Sequence, residues 1–151
     1  MPTLYLDADA CPVKDEAYRV AGRYALRTVV VANSYMRVPA GPLVELVVRA
    51  GFGAADDYIA EVAGPGDVVV TADIPLAGRA LVKGARVIDP RGREISDNEI
   101  GTALGMRELM EDLRARGEVS GGPPPMAAKD RSRFLSKLDE VLVAVKRKFG
   151  A

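Results

Sequence analysis

The chain has 151 residues, 48% of them hydrophobic and 28% charged, which is the size and the composition of one globular domain. His is absent and Cys11 is the only cysteine. This excludes catalysis by histidine, zinc sites that need His or several Cys, and intramolecular disulfides. A bound metal would need oxygen ligands, which favours Mg²⁺ or Mn²⁺. The 21 basic and 21 acidic residues cancel, so the net charge indicates no polyanionic partner.

The N-terminal sequence has no basic segment followed by an apolar stretch, and no apolar run approaches the roughly 20 residues of a membrane span. We therefore expect a cytoplasmic protein without a membrane partner. We also expect residues 1–151 to form a single domain.

Short valine-rich runs alternate along the chain with segments whose apolar residues recur at helical spacing. The predicted strands are residues 4–7, 27–32, 43–48, 67–72 and 85–89. The predicted helices are residues 13–24, 54–63, 74–84, 96–117 and 130–149. This alternation predicts an α/β fold with a single doubly wound, mostly parallel sheet and an added C-terminal helix.

Three local patterns carry further predictions. Residues 33–42 are few for a parallel crossover, so the third strand is expected to be antiparallel or to be reached through a single turn. Ser96 and Glu99 have the spacing of a capping box, which predicts the start of a long helix that ends at Gly117. Asp89 precedes a proline and is expected to make a turn.

The end of the chain combines a linker-like stretch with a basic amphipathic helix. Gly and Pro are frequent within residues 119–129, and the helix over 130–149 has an apolar face that would pack against the sheet or a second subunit. Residues 129–148 hold seven cations and three anions. The polar face of a helix is usually only solvated, but a basic face beside an acidic metal site could hold a polyanion.

Five Asp side chains are predicted to meet at one edge of the sheet, because the ligand sites of open α/β sheets lie beyond the carboxyl ends of the strands. Asp7 and Asp9 follow the first strand and would share a face if the backbone stays extended. Asp73 follows the fourth strand. Asp56 and Asp57 open the helix after the third strand, and the sequence does not choose between them.

Such a cluster predicts a site for Mg²⁺ or Mn²⁺, because like charges at short range raise one another's pKa unless a cation binds. Two ions could activate a water and stabilise the leaving oxygen of a phosphoryl displacement, which needs neither His nor Cys. Asp7, Asp9 and Asp73 are the predicted catalytic residues. Each of them taken alone could also be an ordinary cap or turn residue.

Six polar residues near these strand ends could contact a substrate phosphate or a bound water. They are Lys14, Asn33, Ser34, Arg37, Thr71 and Arg79. Lys14 is in the first turn of its helix, an unfavourable place for a cation unless an anion is near. Turn, core or solvated surface roles are the alternatives for the others. Cys11 is expected to be a buried, inert thiol.

Seven blocks follow one another over nearly the whole chain: YLDADACPVKDE, VVVANSYMRVP, GFGAADDYIAE, GDVVVTADIPLA, KGARVIDPRGR, GGPPP and KDRSRF. Together they resemble the YaiI/YqxD family of uncharacterised bacterial proteins. The arrangement is similar to PIN-like nuclease domains, three-layer α/β/α folds whose strand-end acids bind Mg²⁺ or Mn²⁺ and cleave RNA or DNA. The resemblance therefore implies a metal-dependent nuclease or phosphodiesterase with RNA or DNA as its partner.

Only part of the PIN-like pattern is matched. The resemblance implies that Asp7 and Asp73 stand for the acids after the first and fourth strands. It implies that Asp56 or Asp57 stands for the acid on the intervening helix. Asp9 is an addition to that pattern, and the short second crossover departs from it.

Two other functions stay open. The string DADAC resembles the haloacid-dehalogenase-type phosphatase element, in which Asp7 would be the nucleophile and Asp9 the general acid. Lys14 lies too close in sequence to be the distant lysine of those enzymes. The acidic edge could also bind a cation or a basic partner without catalysis. A trapped phospho-Asp7 would distinguish the phosphatase from a two-metal enzyme.

Overall fold

The computed structural model of the chain describes residues 2–115 and 126–150. The strands in these residues are β1 (Thr3–Asp7), β2 (Arg27–Ala32), β3 (Val44–Val48), β4 (Val68–Val70), β5 (Arg86–Ile88) and β6 (Glu94–Ile95). The helices are α1 (Lys14–Arg23), α2 (Ala54–Val62), α3 (Ile74–Val82), α4 (Asp97–Gly101), α5 (Ala103–Ala115) and α6 (Ala128–Phe149). A 3₁₀ helix, Ala8–Ala10, lies between β1 and α1.

The strands form one sheet in the order β3-β2-β1-β4-β5-β6, parallel except for β6, which pairs antiparallel with β5. All five residues of β1 are buried. Leu4 and Leu6 pack with α1 and α6 on one face, and Tyr5 packs with α2, α3 and α5 on the other. Burial on both faces explains why the strands read as continuous apolar runs. The predicted doubly wound, mostly parallel α/β sheet is confirmed.

The strand order places a candidate crevice between β1 and β4. The chain runs from β1 through β2 to β3 on one side, and then returns to build β4 and β5 on the other side. Ligands bind at such a switch point, beyond the carboxyl ends of the strands. Asp7 ends β1, and Thr71 directly follows β4, so both lie at this edge.

Of the two alternatives predicted for the third strand, the antiparallel one is wrong. Strand β3 pairs parallel with β2, and residues 33–43 connect the two without a helix. Met36 and Val38 of this connection pack against the apolar cluster that α1 also joins. The connection therefore supplies its own apolar contacts in place of a crossover helix.

The prediction that residues 85–89 form the last strand is wrong, because the chain continues into β6. Asp89 makes the expected turn: its Oδ1 accepts hydrogen bonds from the backbone N–H groups of Arg91 and Arg93, each at 2.9 Å. Strand β6 then pairs with β5. A strand of two residues is too short to show a periodic pattern.

The predicted long helix after Ser96 is two helices. The capping box of Ser96 and Glu99 is present and starts α4. Thr102 is extended, with φ −129° and ψ 152°, and its Oγ1 accepts a hydrogen bond from Gly105 N at 2.9 Å. A threonine hydroxyl that caps a helix competes with helix continuation, and here it begins α5. The predicted stop at Gly117 lies outside the described residues.

Helix α6 packs against the sheet, one of the two alternatives predicted for it. Its buried side chains are Phe134, Leu138, Val141, Leu142 and Val145. It begins two residues before the predicted start, and most of the predicted linker, residues 119–125, lies outside the described residues. No helix in the described part of the chain combines the length and the apolarity of a membrane span.

Candidate functional site

Thr71 joins the ends of β1 and β4 through its hydroxyl group. Asp7, the last residue of β1, is buried, and its Oδ2 accepts a hydrogen bond from Thr71 Oγ1 at 2.8 Å. The same Oγ1 accepts a hydrogen bond from Asp73 N at 3.0 Å. The two acids predicted to lie at adjacent strand ends are therefore tied to one threonine. The hydroxyl proton of Thr71 goes to Asp7 in this arrangement, so Thr71 does not offer it to a phosphate.

Asp73 has a structural role in addition to its place at the crevice. It is the N-cap of α3, and its Oδ1 accepts a hydrogen bond from Leu76 N at 3.0 Å. Its charge also acts on Asp7, whose pKa it helps to raise. Asp73 can therefore cap α3 and also take part in the site, because the bond from Leu76 engages only one of its two carboxylate oxygens.

Asp56 and Asp57 point in different directions from the first turn of α2. Besides burial, the nearby carboxyl groups of Asp7 and Asp73 raise the pKa of Asp56. Asp57 forms an ion pair with Arg79 at 2.8 Å, and its side chain is 67% exposed. The structure therefore brings Asp56 close to Asp7 and Asp73. Asp57 instead pairs with Arg79, which the sequence predicted to bind substrate.

Burial and mutual repulsion shift the pKa values of the clustered carboxyl groups. Burial is the main cause that raises the pKa of Asp7, and Asp73 and Asp9 raise it further, whereas the bond from Thr71 lowers it. Burial, followed by repulsion from Asp7 and Asp73, raises the pKa of Asp56 to about 6. Asp7, Asp56 and Asp73, from three separate segments, thus form one electrostatic unit.

Asp9 does not share a face with Asp7 on an extended strand, because the backbone turns into the 3₁₀ helix directly after Asp7. Asp9 is exposed, and its Oδ2 accepts a hydrogen bond from Asn33 N at 3.0 Å. It ties the start of the β2–β3 connection to the end of β1, and its charge still acts on Asp7.

The remaining predicted site residues surround this edge with fewer specific contacts. Lys14 begins α1, donates from Nζ to Cys11 O at 2.8 Å, and lowers the pKa of Asp7 through its charge. Ser34 and Arg37 are exposed in the β2–β3 connection. Cys11 is buried as expected, and burial raises its pKa to about 11, so its thiol stays protonated at neutral pH.

Sequence reasoning missed two features of this edge. One is the bridging role of Thr71, and the other is the carboxyl pair of Asp56 with Asp73. The spacing of Thr71 and Asp73 was a signal for the first, because a hydroxyl group can accept a hydrogen bond from the backbone two residues on.

Within residues 2–115 and 126–150, no group of three or more Asp, Glu or Cys side chains could hold a metal ion as arranged.

Comparison with known proteins identifies the family. A family model described as "Uncharacterized BCR, YaiI/YqxD family" matches residues 5–144. The chain is 57% identical over 146 residues to a UPF0178 protein of Caulobacter vibrioides, covering 96% of this chain and 95% of the relative. It is 55% identical over 146 residues to one of Bradyrhizobium diazoefficiens, covering 96% and 87%. With one of Paramagnetospirillum magneticum it shares 51% over 148 residues, covering 97% and 98%.

No solved structure matches the chain at a significant level. The names of these relatives state no activity. The match over most of the chain and the high identities agree with the sequence blocks noted above. The chain therefore belongs to the YaiI/YqxD family.

Proposed function

We propose that this chain is a divalent-metal-dependent phosphodiesterase that cleaves RNA or DNA at the carboxyl ends of β1 and β4. The observation that carries the proposal is the meeting of Asp7, Asp56 and Asp73 at the switch point of the sheet. Such an arrangement is costly when its members are ionised without a cation. The resemblance to PIN-like nucleases supports the same reading.

The carboxylates fit a hard cation such as Mg²⁺ or Mn²⁺. Asp7 and Asp73 would hold it, since the bond from Thr71 engages only Oδ2 of Asp7 and the bond from Leu76 only Oδ1 of Asp73. Magnesium is typically held by one or two carboxylates and completes its shell with water and phosphate oxygens, so a group of three is not required. When bound, the ion would polarise the phosphoryl group and lower the pKa of the attacking water.

Asp56 is the residue proposed to take the proton from the attacking water. Without a metal, burial and the carboxyl groups of Asp7 and Asp73 raise its pKa to about 6, and a bound cation would lower that pKa, so Asp56 would be ionised at neutral pH and able to accept a proton. Lys14 is proposed to neutralise substrate phosphate charge, because it already acts on Asp7 across this edge. Three exposed polar residues of the β2–β3 connection are the other proposed phosphate contacts. They are Asn33, Ser34 and Arg37.

Paired substitutions on one helix turn test the proposal. Cleavage of short RNAs and DNAs is measured with Mn²⁺ or Mg²⁺ for Asp56→Asn and Asp57→Asn. Loss of a general base should reduce the rate of Asp56→Asn by about 10²–10⁴-fold. Asp57→Asn is the matched control: it stands one residue away, removes the same charge, and should keep most of the activity. Full activity of Asp56→Asn, or an equal loss in both variants, would contradict the assignment.

A second experiment separates the proposal from its alternatives. Calorimetry with Mn²⁺ on wild type, Asp7→Asn and Asp73→Asn should show binding that both substitutions weaken. A phosphoryl group trapped on Asp7 during turnover of a phosphomonoester would indicate the haloacid-dehalogenase-type phosphatase instead. Metal binding without cleavage of any of these substrates would indicate a cation-binding protein. Asp9 stays a predicted ligand, and Asp9→Asn in the same titration tests it.

A further inference from the structure

Strand β3 forms one edge of the sheet and turns half of its peptide groups away from β2. Leu43 O accepts from Thr28 N at 2.7 Å, and Arg49 N donates to Ala32 O at 2.9 Å, so the odd-numbered positions bond to β2. Successive peptide groups of a strand face opposite sides. Three residues therefore direct their N–H and C=O groups outward. They are Val44, Leu46 and Val48.

These outward groups are an open template for another strand. Within the described residues, their one hydrogen bond comes from the guanidinium of Arg49, which donates to Val48 O at 3.0 Å. A carbonyl oxygen can accept a second bond. Natural edge strands are usually protected by charges, proline or a bulge. The one charged residue of β3 is Glu45, and Arg27 already forms an ion pair with it at 2.6 Å.

Exposed apolar side chains concentrate around the same edge. Of the eight large hydrophobic residues exposed in the described chain, four lie on β3 or in the connections that flank it. They are Tyr35, Leu43, Val48 and Phe52. Phe52 follows the carboxyl end of β3, and its exposure of 108% means that it packs against nothing in the described part of the chain. Isolated apolar residues on a surface are ordinary, but four of them around one unpaired edge strand favour an interaction surface.

An apolar groove lies at the opposite end of β3. It has a volume of about 270 Å³ and is lined by residues 39–44 together with Tyr18, Gly22, Leu26 and Thr28. The edge of β3 thus has a projecting phenyl group beyond one end and a groove beside the other. A strand with this arrangement can match a second copy of itself in antiparallel orientation, since a two-fold axis brings opposite ends together.

The residues of β3 are compatible with that pairing. A two-fold axis at Leu46 sets Val44 opposite Val48 of the second copy, so that all outward peptide groups meet in hydrogen-bonded pairs. It sets Glu45 opposite Val47 of the second copy, which avoids like charges in directly opposed positions. The same register brings the turn that carries Phe52, at the carboxyl end of β3, to the amino end of the second copy's β3, beside which the groove lies.

We propose that the chain forms a two-fold dimer in which β3 pairs antiparallel with β3 of a second copy and Phe52 of each copy packs into the groove of the other. Pairing of five-residue strands alone is small beside the roughly 1,200–2,000 Å² of a stable interface, so Phe52 is the anchor. The described segments on either side of residues 116–125 are attached at the β6 edge of the sheet, opposite β3. Arg93 pairs with Asp112, and Arg91 pairs with Asp130, each at 2.8 Å.

Sedimentation of the full chain over a range of concentrations tests the dimer. Phe52→Ala and Val48→Lys should each weaken it at least about tenfold, because one removes the anchor and the other places a charge at the edge. Val82→Lys is the matched control, since Val82 is 87% exposed on α3, away from β3. It should leave the dimer unchanged. Thermal unfolding of each variant checks that it is folded.

Amide hydrogen exchange identifies the surface that is used. In the dimer, the amides of Val44, Leu46 and Val48 should exchange slowly, and in Phe52→Ala at low concentration they should exchange fast. The amides of Glu45 and Val47 bond to β2 and should stay protected in both proteins. A wild-type monomer at every concentration overturns the proposal. So does a dimer that survives both substitutions, or slow exchange of the outward amides in a monomer, which would mean that this chain covers its own edge.

Discussion

Two neighbouring aspartates at the start of α2 show how strongly surroundings determine the properties of a residue. Asp56 interacts with Asp7 and Asp73, whereas Asp57 forms an exposed ion pair with Arg79. Successive residues of a helix point about 100° apart, so the rotation of α2 against the sheet decides which of the two reaches the crevice. That rotation depends on packing. The sequence could therefore predict an acid at this position but could not choose between Asp56 and Asp57.

Asp56→Asn is predicted to stabilise the protein at neutral pH. The pKa of Asp56 rises from its ordinary value of 3.8 to about 6 on folding, so the contribution of this group to stability is full below pH 3.8 and is lost as the pH rises through about 6. Removing the charge should therefore add roughly 1 kcal/mol at pH 7, once solvent screening of this partly exposed group is considered, or about 2–4 °C in Tm.

The pH dependence of that gain separates repulsion from other causes. The difference in Tm between Asp56→Asn and wild type should shrink toward pH 4, where the wild-type carboxyl group is protonated in the folded state and about half protonated in the unfolded state. Asp57→Asn provides the comparison, because an exposed ion pair contributes no more than about 1 kcal/mol. A gain for Asp56→Asn that is constant from pH 4 to pH 7 would contradict the role of repulsion.

At the scale of the elements, the predicted parts are those with enough residues to show a period. Strands β1 and β2 and helices α2 and α3 lie within two residues of their predicted ends, because buried runs and helix stops mark them. Strand β6 and the break at Thr102 were missed. A two-residue strand has no pattern, and the break depends on one hydroxyl group that caps α5. The position of Asp9 was missed because the strand ends in a 3₁₀ helix.

The attachment of α6 to the β5–β6 turn is predicted to depend on one buried ion pair. Arg91 and Asp130 are 2.8 Å apart, and their side chains are only 6% and 10% exposed. Arg91→Ala leaves Asp130 buried beside a weaker contact to Arg133 and should cost about 3 kcal/mol. Urea unfolding measures this loss. Arg23→Ala, which removes the exposed pair with Asp139, should cost less than about 1 kcal/mol. Equal losses would contradict the importance of burial.

At the scale of the whole molecule, the proposed metal site predicts that divalent cations stabilise the folded state. A metal that binds only the folded state at a hundred times its Kd should add about 2.7 kcal/mol. Asp7 and Asp73 must be ionised to bind it, burial raises the pKa of Asp7, and the neighbouring Asp56, with a pKa of about 6, adds its negative charge only near or above that pH. We therefore expect Mn²⁺ to raise the Tm at pH values well above 6 and to have little effect on it near pH 4. The same increase in Asp7→Asn and Asp73→Asn would mean that the ion binds elsewhere.

The burial of α6 sets the minimum length of a chain that can fold. Phe134, Leu138 and Leu142 cover Leu4 and Leu6 of the central strand. A truncated product that ended before residue 128 would expose this face to water, and contiguous apolar surface of that kind leads to aggregation. A premature stop codon or a proteolytic cut ahead of α6 should therefore yield insoluble material. Deletion mapping of the acidic crevice must retain this helix.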